Sequence, residues 1–193
     1  MISALILAGG RATRMGGLDK SALVVDGETI FARQVRVLAP RVVEIIVSHG
    51  AVAMGSDPVT RTHDLFAGYR TVVDSVTGAG PLAGVHAGLA ACTTPWLLVV
   101  AGDMPHVEGA LVARMIAAAT DAVDAVGLRI DDLPEPLFCL LRVAAARPAI
   151  ERRFAEGKRK ASELLTSSGL RVAWLEGVAR AALTNINTPD DLP

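Results

Sequence analysis

Four runs of strand length, Ser3–Leu7, Val42–Val47, Thr71–Val73 and Trp96–Ala101, carry a single charge among them, Glu44. A strand with one face in water alternates apolar and polar residues, whereas a strand covered by helices on both faces reads as a near-continuous apolar run. Between these runs lie segments of helical length, rich in Ala and Arg: Thr29–Ala39, stopped by Pro40, then Pro81–Ala91 and Val107–Ala119. Apolar runs alternating with helical segments predict α/β units on a mostly parallel sheet with helices on both faces. The second half is less regular. Strands are expected at Val123–Arg129, Leu137–Arg142, Val172–Leu175 and Leu183–Ile186, helices at Ala144–Ala155 and Ala161–Ser167, and a helix start at Thr188-Pro189. The segment 50–68 has no periodicity and is expected to be a surface excursion. With no repeat and no linker composition, one domain is expected over residues 1–193.

Buried strands also account for a hydrophobic content of 51% and a mean hydropathy of +0.42. No stretch reaches the ~18 uncharged apolar residues of a membrane span; Ala110–Ile130 comes nearest and is broken by Arg114, Asp121 and Asp124. Met1–Gly10 is apolar, but Arg11 and Arg14 follow it, the reverse of a secretory signal, so a cytoplasmic chain is expected. Nineteen Lys plus Arg against twenty Asp plus Glu give a net charge of -1, which excludes a general nucleic-acid binder. Cys92 and Cys139 stand apart and read as small buried hydrophobes, with no disulfide or zinc spacing. His49, His63, His86 and His106 are scattered, and no G-x-S-x-G elbow is present.

The stretch from Leu5 to Lys20 carries the chemistry. An apolar strand runs into a loop with Gly9, Gly10, Gly16, Gly17, Arg11, Arg14 and Lys20. Glycines let backbone N–H groups approach an anion, and the cations neutralise it, so the composition suits a polyphosphate cradle. It matches neither a Walker A loop nor G-x-G-x-x-G, and a basic surface turn is the bland alternative. Asp103 lies just past the most apolar run, where ligands of α/β sheets gather. Its carboxylate has two uses open to it: holding Mg²⁺ beside phosphates, or capping the helix that begins near Val107. Gly78-Ala79-Gly80-Pro81-Leu82-Ala83-Gly84 satisfies a degenerate dinucleotide fingerprint, against which stand its late place in the chain and the missing donor of Pro81. Arg152, Arg153, Lys158, Arg159 and Lys160 read either as a solvated helix end or as a phosphate contact.

Leu7 to Gly10 and Arg14-Met15-Gly16-Gly17-Leu18-Asp19-Lys20 resemble the signature of the molybdenum cofactor guanylyltransferases. The similarity continues through Asp74, Gly80 to Gly84, Gly102-Asp103-Met104-Pro105, Pro136-Leu137-Phe138, Gly157-Lys158-Arg159 and Asn185-Ile186-Asn187-Thr188-Pro189. The resemblance implies a three-layer Rossmann-like mixed sheet of nucleotidyltransferase type. It implies transfer of GMP from GTP to the terminal phosphate of molybdopterin, with release of pyrophosphate. By the same resemblance Leu7, Ala8, Gly9, Gly10, Gly17, Lys20, Ser48, Asp74, Gly80, Gly84 and Asp103 hold the nucleotide. Arg14, Lys20 and Asp103 are catalytic, Asp103 holds Mg²⁺, and Lys158, Arg159, Asn185 and Asn187 meet the pterin. The partners are small molecules, with molybdenum-insertion or molybdoenzyme-delivery proteins as further candidates and a monomer expected. Where the family often has Asn after its second strand, this chain has Ser48-His49. A related enzyme using CTP or another phosphate acceptor, and a non-catalytic nucleotide-binding module, are the alternative readings.

Overall fold

The computed structural model describes residues 1–8, 20–50, 65–74, 76 and 80–183. Its strands are β1 (Ile2–Leu7), β2 (Val24–Val25), β3 (Glu28–Thr29), β4 (Glu44–His49), β5 (Arg70–Val73), β6 (Trp96–Ala101), β7 (Ala125–Ile130), β8 (Leu133–Arg142) and β9 (Val172–Leu175). The α-helices are α1 (Ile30–Leu38), α2 (Pro81–Ala91), α3 (Gly109–Ala118) and α4 (Val143–Ala155). Seven strands form one sheet in the order β5-β4-β1-β6-β8-β7-β9. β1, β4, β5 and β6 are mutually parallel, while β8 runs antiparallel to both of its neighbours. β7 and β9 therefore point the same way as β6. The consequence for function is that Leu7, His49, Val73, Ala101 and Ile130 all end at one edge. The architecture is the mixed, mostly parallel sheet that the apolar runs predict.

Successive residues of a strand point to opposite faces, and here each face has its own core. Ile6, Val47, Leu98 and Val100 pack with Phe31 and Leu38 of α1 and with Leu111 and Met115 of α3. Leu5, Ile46, Leu97 and Val99 pack with Leu82 and Leu89 of α2 and with Ile150 of α4. Burying a side chain of this size contributes about 1.5–3 kcal/mol, which is why a continuous apolar run on β6 is stable only between two helical layers. Thr29 starts α1 by accepting from the Ala32 N–H at 3.1 Å. No described helix is long and apolar enough to cross a membrane.

The second half departs from the sequence expectation in instructive ways. β8 begins at Leu133 rather than Leu137, and β7 and β8 form a two-residue hairpin through Asp131 and Asp132, both at positive φ (49° and 65°). That geometry suits the right-handed twist of the flanking strands, and Asp tolerates it better than most side chains. The helix expected over Ala161–Ser167 is only a 3-10 turn, Ala161–Glu163. Thr166, Ser167 and Ser168 lead into Gly169, and the Ser168 hydroxyl bonds back to the Leu164 carbonyl, the competition by which such residues end helices. Leu183, expected to begin a strand, instead closes a 3-10 turn, Arg180–Leu183; Thr184–Ile186 and the helix start at Thr188 lie outside the described residues. Most of the segment 50–68 lies outside them as well. Cys139 is fully buried, and burial pushes its thiol up to about 12, whereas Cys92 is only half-buried.

At the far edge, Asp124 ties β9 to β7. Its carboxylate accepts from the Arg171 side chain at two 2.8 Å contacts and from the Arg171 backbone N–H at 3.1 Å. These bonds favour the ionised form and hold Asp124 at about 2, below its ordinary value of 3.8. A carboxylate lowered on folding contributes stability that is present above its unfolded value and is lost as pH falls through the folded one. Between about pH 4 and pH 2 the wild type should therefore lose melting temperature faster than Asp124→Asn. Parallel acid melting curves for the two proteins would remove the bridge from the account.

Candidate active site

Two clusters stand at the sheet edge defined above. The first lies between β1, β4 and β5. Ser48, the fifth residue of β4, is buried, and its hydroxyl donates to Asp74 Oδ1 at 2.8 Å. The Asp74 backbone N–H in turn donates to the His49 carbonyl at 3.2 Å, which fixes the residue just past β5. Gly84, in the first turn of α2, lies against this pair. A Cβ at Gly84 would come within 2.7 Å of Ser48 Oγ, 2.9 Å of Leu7 Cδ2 and 3.2 Å of Asp74 Oδ1. Only glycine lets the helix start approach so closely. Gly80 precedes the helix with φ 61°, and Leu7 and Ala8 complete the wall, Ala8 N–H donating to the Ser48 carbonyl at 2.8 Å. Leu7, Ala8, Ser48, Asp74, Gly80 and Gly84, scattered over the sequence, are thus brought into one neighbourhood. Ser48 spends its hydroxyl proton on Asp74, so it acts on whatever Asp74 meets.

The second cluster lies past β6. Lys20, which opens a short 3-10 turn, brings Nζ to 3.1 Å from Asp103 Oδ2, and the two side chains keep exposures of 26% and 20%. Asp103 does not cap the following helix: α3 starts at Gly109, and its cap position is Glu108. The capping alternative falls, and the charge of Asp103 is left for other use. Two features hold the turn that carries it. Gln34, buried within α1, donates from Nε2 to the Ala101 carbonyl at 2.7 Å and to the Met104 carbonyl at 3.0 Å, clasping the turn on either side of Asp103. Gly102 donates its N–H to the Leu7 carbonyl at 3.0 Å, and a Cβ there would stand 2.7 Å from that same oxygen.

Glu135 of β8 is the second acid. The β6–β8 ladder ends with Val100 opposite Phe138, and beyond it Glu135 lies near enough to Asp103 to feel its charge. Burial, reinforced by the Asp103 charge, pushes the Glu135 carboxyl up; the Leu137 backbone N–H, donating to Glu135 Oε1 at 3.1 Å, pulls the other way. The donor chemistry fits a hard divalent cation at Asp103. Its carboxylate oxygen is reachable from solvent, a second carboxylate is near enough to be felt, and an ammonium group already sits on it, so the place accepts positive charge. Among the described residues no group of three or more His, Cys, Asp or Glu gathers to hold a metal.

Other expected site residues are placed differently or not described. Gly9, Gly10, Arg14, Gly17, Asn185 and Asn187 lie outside the described residues, as does most of the loop before Gly80. The basic cluster after α4 divides in two. Arg153 is buried and bonds Glu163 Oε2 at 3.1 Å, the Lys160 carbonyl at 3.2 Å and the Ser167 carbonyl at 3.4 Å, a structural clasp. Lys158, paired with Glu156 at 2.8 Å, and Arg159 are exposed. Gln34 and Glu135 were not expected from the sequence. Gln34 had a signal: Ile30, Gln34 and Leu38 recur at helical spacing, so a polar residue stands on the buried face of α1. Glu135 had none, because its nearness to Asp103 depends on β8 lying beside β6.

The Lys20–Asp103 pair beyond β6 and the Ser48–Asp74–Gly84 cluster beside β1 stand at the ligand-gathering edge of an α/β sheet, and the chain is a nucleotidyltransferase of that architecture. The chain belongs to the MobA-like NTP transferase family, whose domain model matches residues 4–172. It is 35% identical over 97% of its length to a molybdenum cofactor guanylyltransferase of Pseudomonas paraeruginosa, covering 91% of that protein. It is 33% identical over 99% of its length to one from Cupriavidus taiwanensis, covering 94%. Among solved structures, molybdopterin-guanine dinucleotide biosynthesis protein A of Archaeoglobus fulgidus superposes with a TM-score of 0.74 at 23% identity, covering 98% of this chain and 94% of that one. A 2-C-methyl-D-erythritol 4-phosphate cytidylyltransferase of Thermus thermophilus superposes with a TM-score of 0.68 at 21% identity, covering 97% and 93%. At such identities the two structures speak for the fold.

Proposed function

We propose that this chain transfers GMP from GTP to the terminal phosphate of molybdopterin, as a single-domain cytoplasmic monomer working on small-molecule substrates. The observation that carries the reading is the Lys20–Asp103 pair, which joins residues 83 apart in sequence at the sheet edge where ligands of this fold gather. In the pair each charge neutralises the other. A bound triphosphate gives Lys20 a stronger counter-charge, and Asp103 is then free to hold a cation.

The chemistry asked of the side chains is modest. An oxygen of the acceptor phosphate attacks the α-phosphorus of GTP in line, the new P–O bond forms, and the bond to the bridging oxygen of pyrophosphate breaks. The attacking phosphate is already anionic, so no residue need remove a proton. Lys20, Arg14 and the backbone amides of Ala8 to Gly10 neutralise and orient the phosphates, while Gln34 keeps Asp103 on station. Mg²⁺ held by Asp103 would supply further neutralisation of phosphate charge. On the nucleotide side, the Ser48 hydroxyl holds one Asp74 carboxyl oxygen, leaving the other to accept from a donor on the ligand such as the N1–H or N2 amino group of guanine.

The test is selectivity. With Mg²⁺ present, GTP should raise the melting temperature well above any shift from ATP or CTP at equal concentration, because a site built to hydrogen-bond one base leaves polar groups unpaired with another. GMP incorporation into molybdopterin should follow the same order. A CTP shift equal to that of GTP would move the assignment to a cytidylyl-transferring relative.

A further inference from the structure

The same edge carries a cation, Arg129, that the scheme above does not use. Arg129 is the next-to-last residue of β7, and its Cζ stands 4.6 Å from the centroid of the Trp174 ring. Trp174 is seated by Gly127, where a Cβ would come within 2.7 Å of the indole. A guanidinium stacked on an aromatic face keeps its N–H groups in plane, and its fork fits a carboxylate or phosphate at two points.

The protein contains its own control. Arg142 stacks over Trp96 at 4.5 Å, at the opposite edge of the sheet. Its donors are consumed by the fold: Nε goes to the Val123 carbonyl at 3.1 Å, and a terminal nitrogen goes to the Thr120 carbonyl at 2.7 Å and lies 3.5 Å from Asp121. The Arg129 side chain makes no hydrogen bond or ion pair among the described residues, and its Nε is buried without a partner. The other described arginines that are not exposed, Arg33, Arg142 and Arg153, each face a carboxylate. The donors Arg129 can offer an anion are therefore its terminal nitrogens, which no described residue takes up.

Its position gives the anion a source. The nucleotide neighbourhood of Ser48, Asp74 and Gly84 lies on the β4–β5 side of β1, while β7 lies two strands beyond β6 on the other side, about 10 Å from it. α4 runs antiparallel to α2 toward the same edge, and its last turn, with Phe154, shares a core with Trp174. Arg129, at the end of β7, and the Lys158–Arg159 loop, just past α4, therefore both lie toward the sheet edge that carries the Lys20–Asp103 pair, on the side of β6 away from Ser48 and Asp74.

We propose that Arg129, stacked on Trp174 and without a partner, is an anchor for the phosphate monoester of the acceptor, gripping it through a two-point guanidinium–oxyanion contact. The proposal rests on the reading of the chain as a transferase with a phosphorylated acceptor. Arg129→Gln keeps a polar stem and removes the charge, and Arg129→Lys keeps the charge without the fork. In steady-state assays Arg129→Gln should raise the KM for molybdopterin about 10- to 100-fold and change kcat far less. Arg129→Lys should recover part of the loss, and GTP affinity and melting temperature should stay at wild-type values. Inorganic phosphate should compete with molybdopterin and not with GTP. An unchanged KM for molybdopterin in Arg129→Gln, or an equal loss of GTP affinity, overturns the anchor. If the wild type transfers nothing to molybdopterin, the functional reading fails, and phosphate titration followed by tryptophan fluorescence still decides the anchor. A saturable change present in wild type and absent in Arg129→Gln upholds it, and identical titrations refute it.

Discussion

Lys20→Ala should lower GTP turnover by about 100-fold or more, equivalent to about 2.7 kcal/mol of transition-state stabilisation. The substitution removes one cation from a site whose task is to neutralise a polyphosphate. It also leaves Asp103 without its 3.1 Å partner and with Glu135 near enough to feel its charge, so two acids then face an incoming anion with less to offset them. Stability should change by under ~1 kcal/mol, because the pair is partly exposed and such ion pairs contribute little. Steady-state kinetics alongside thermal melts separate the two effects. An unchanged kcat/KM would mean that the loop ending at Lys20 is not the phosphate cradle. Arginine is not an equivalent replacement, since it exchanges a compact ammonium for a planar fork that cannot sit on a single carboxylate oxygen in the same way.

The layer architecture was legible because burial on both faces leaves a mark on composition: β1 and β6 have no polar residue other than Ser3 to suggest an exposed side. Strand direction leaves no such mark. The apolar run of β8 reads the same whether the strand is parallel or antiparallel, and its reversal follows from the tight Asp131-Asp132 turn rather than from its own residues. The small β2–β3 hairpin, turned by Asp26 and Gly27 at φ 48° and 80°, was not expected: its strands are only two residues each, too short to show an alternating pattern. In the site, Asp103 was visible from its place after an apolar run, and Lys20 from its loop. Their separation was not, since nothing local to either residue sets a distance across 83 positions. Glu135 and Arg129 become meaningful only once the strand order puts β8 and β7 beyond β6. The basic cluster after α4 shows the converse: five charges adjacent in sequence, of which Arg153 turns inward to hold the backbone of 160–167 while Lys158 and Arg159 stay in solvent.

Asp103→Asn should be the more severe lesion at low Mg²⁺, and it separates charge from shape. Asn keeps the volume and still accepts a hydrogen bond, so Gln34 and the Gly102 N–H should go on holding the turn. Because α3 is capped at Glu108, no helix start is lost. The fold loses one ion pair with Lys20 and is relieved of the repulsion that helps push Glu135 up, two partly offsetting changes, so the melting temperature should stay close to wild type. Activity should fall steeply, since a neutral amide recruits a divalent cation far less well than a carboxylate beside a polyanionic substrate. Raising Mg²⁺ should restore part of it, which a purely structural role for Asp103 would not allow. The titration should be read together with binding of GTP in the absence of metal. With the neighbouring Asp103 charge gone, less negative charge opposes the triphosphate, so GTP should bind at least as tightly to the Asn variant as to wild type. Full activity of Asp103→Asn at limiting Mg²⁺ would take Asp103 out of the reaction.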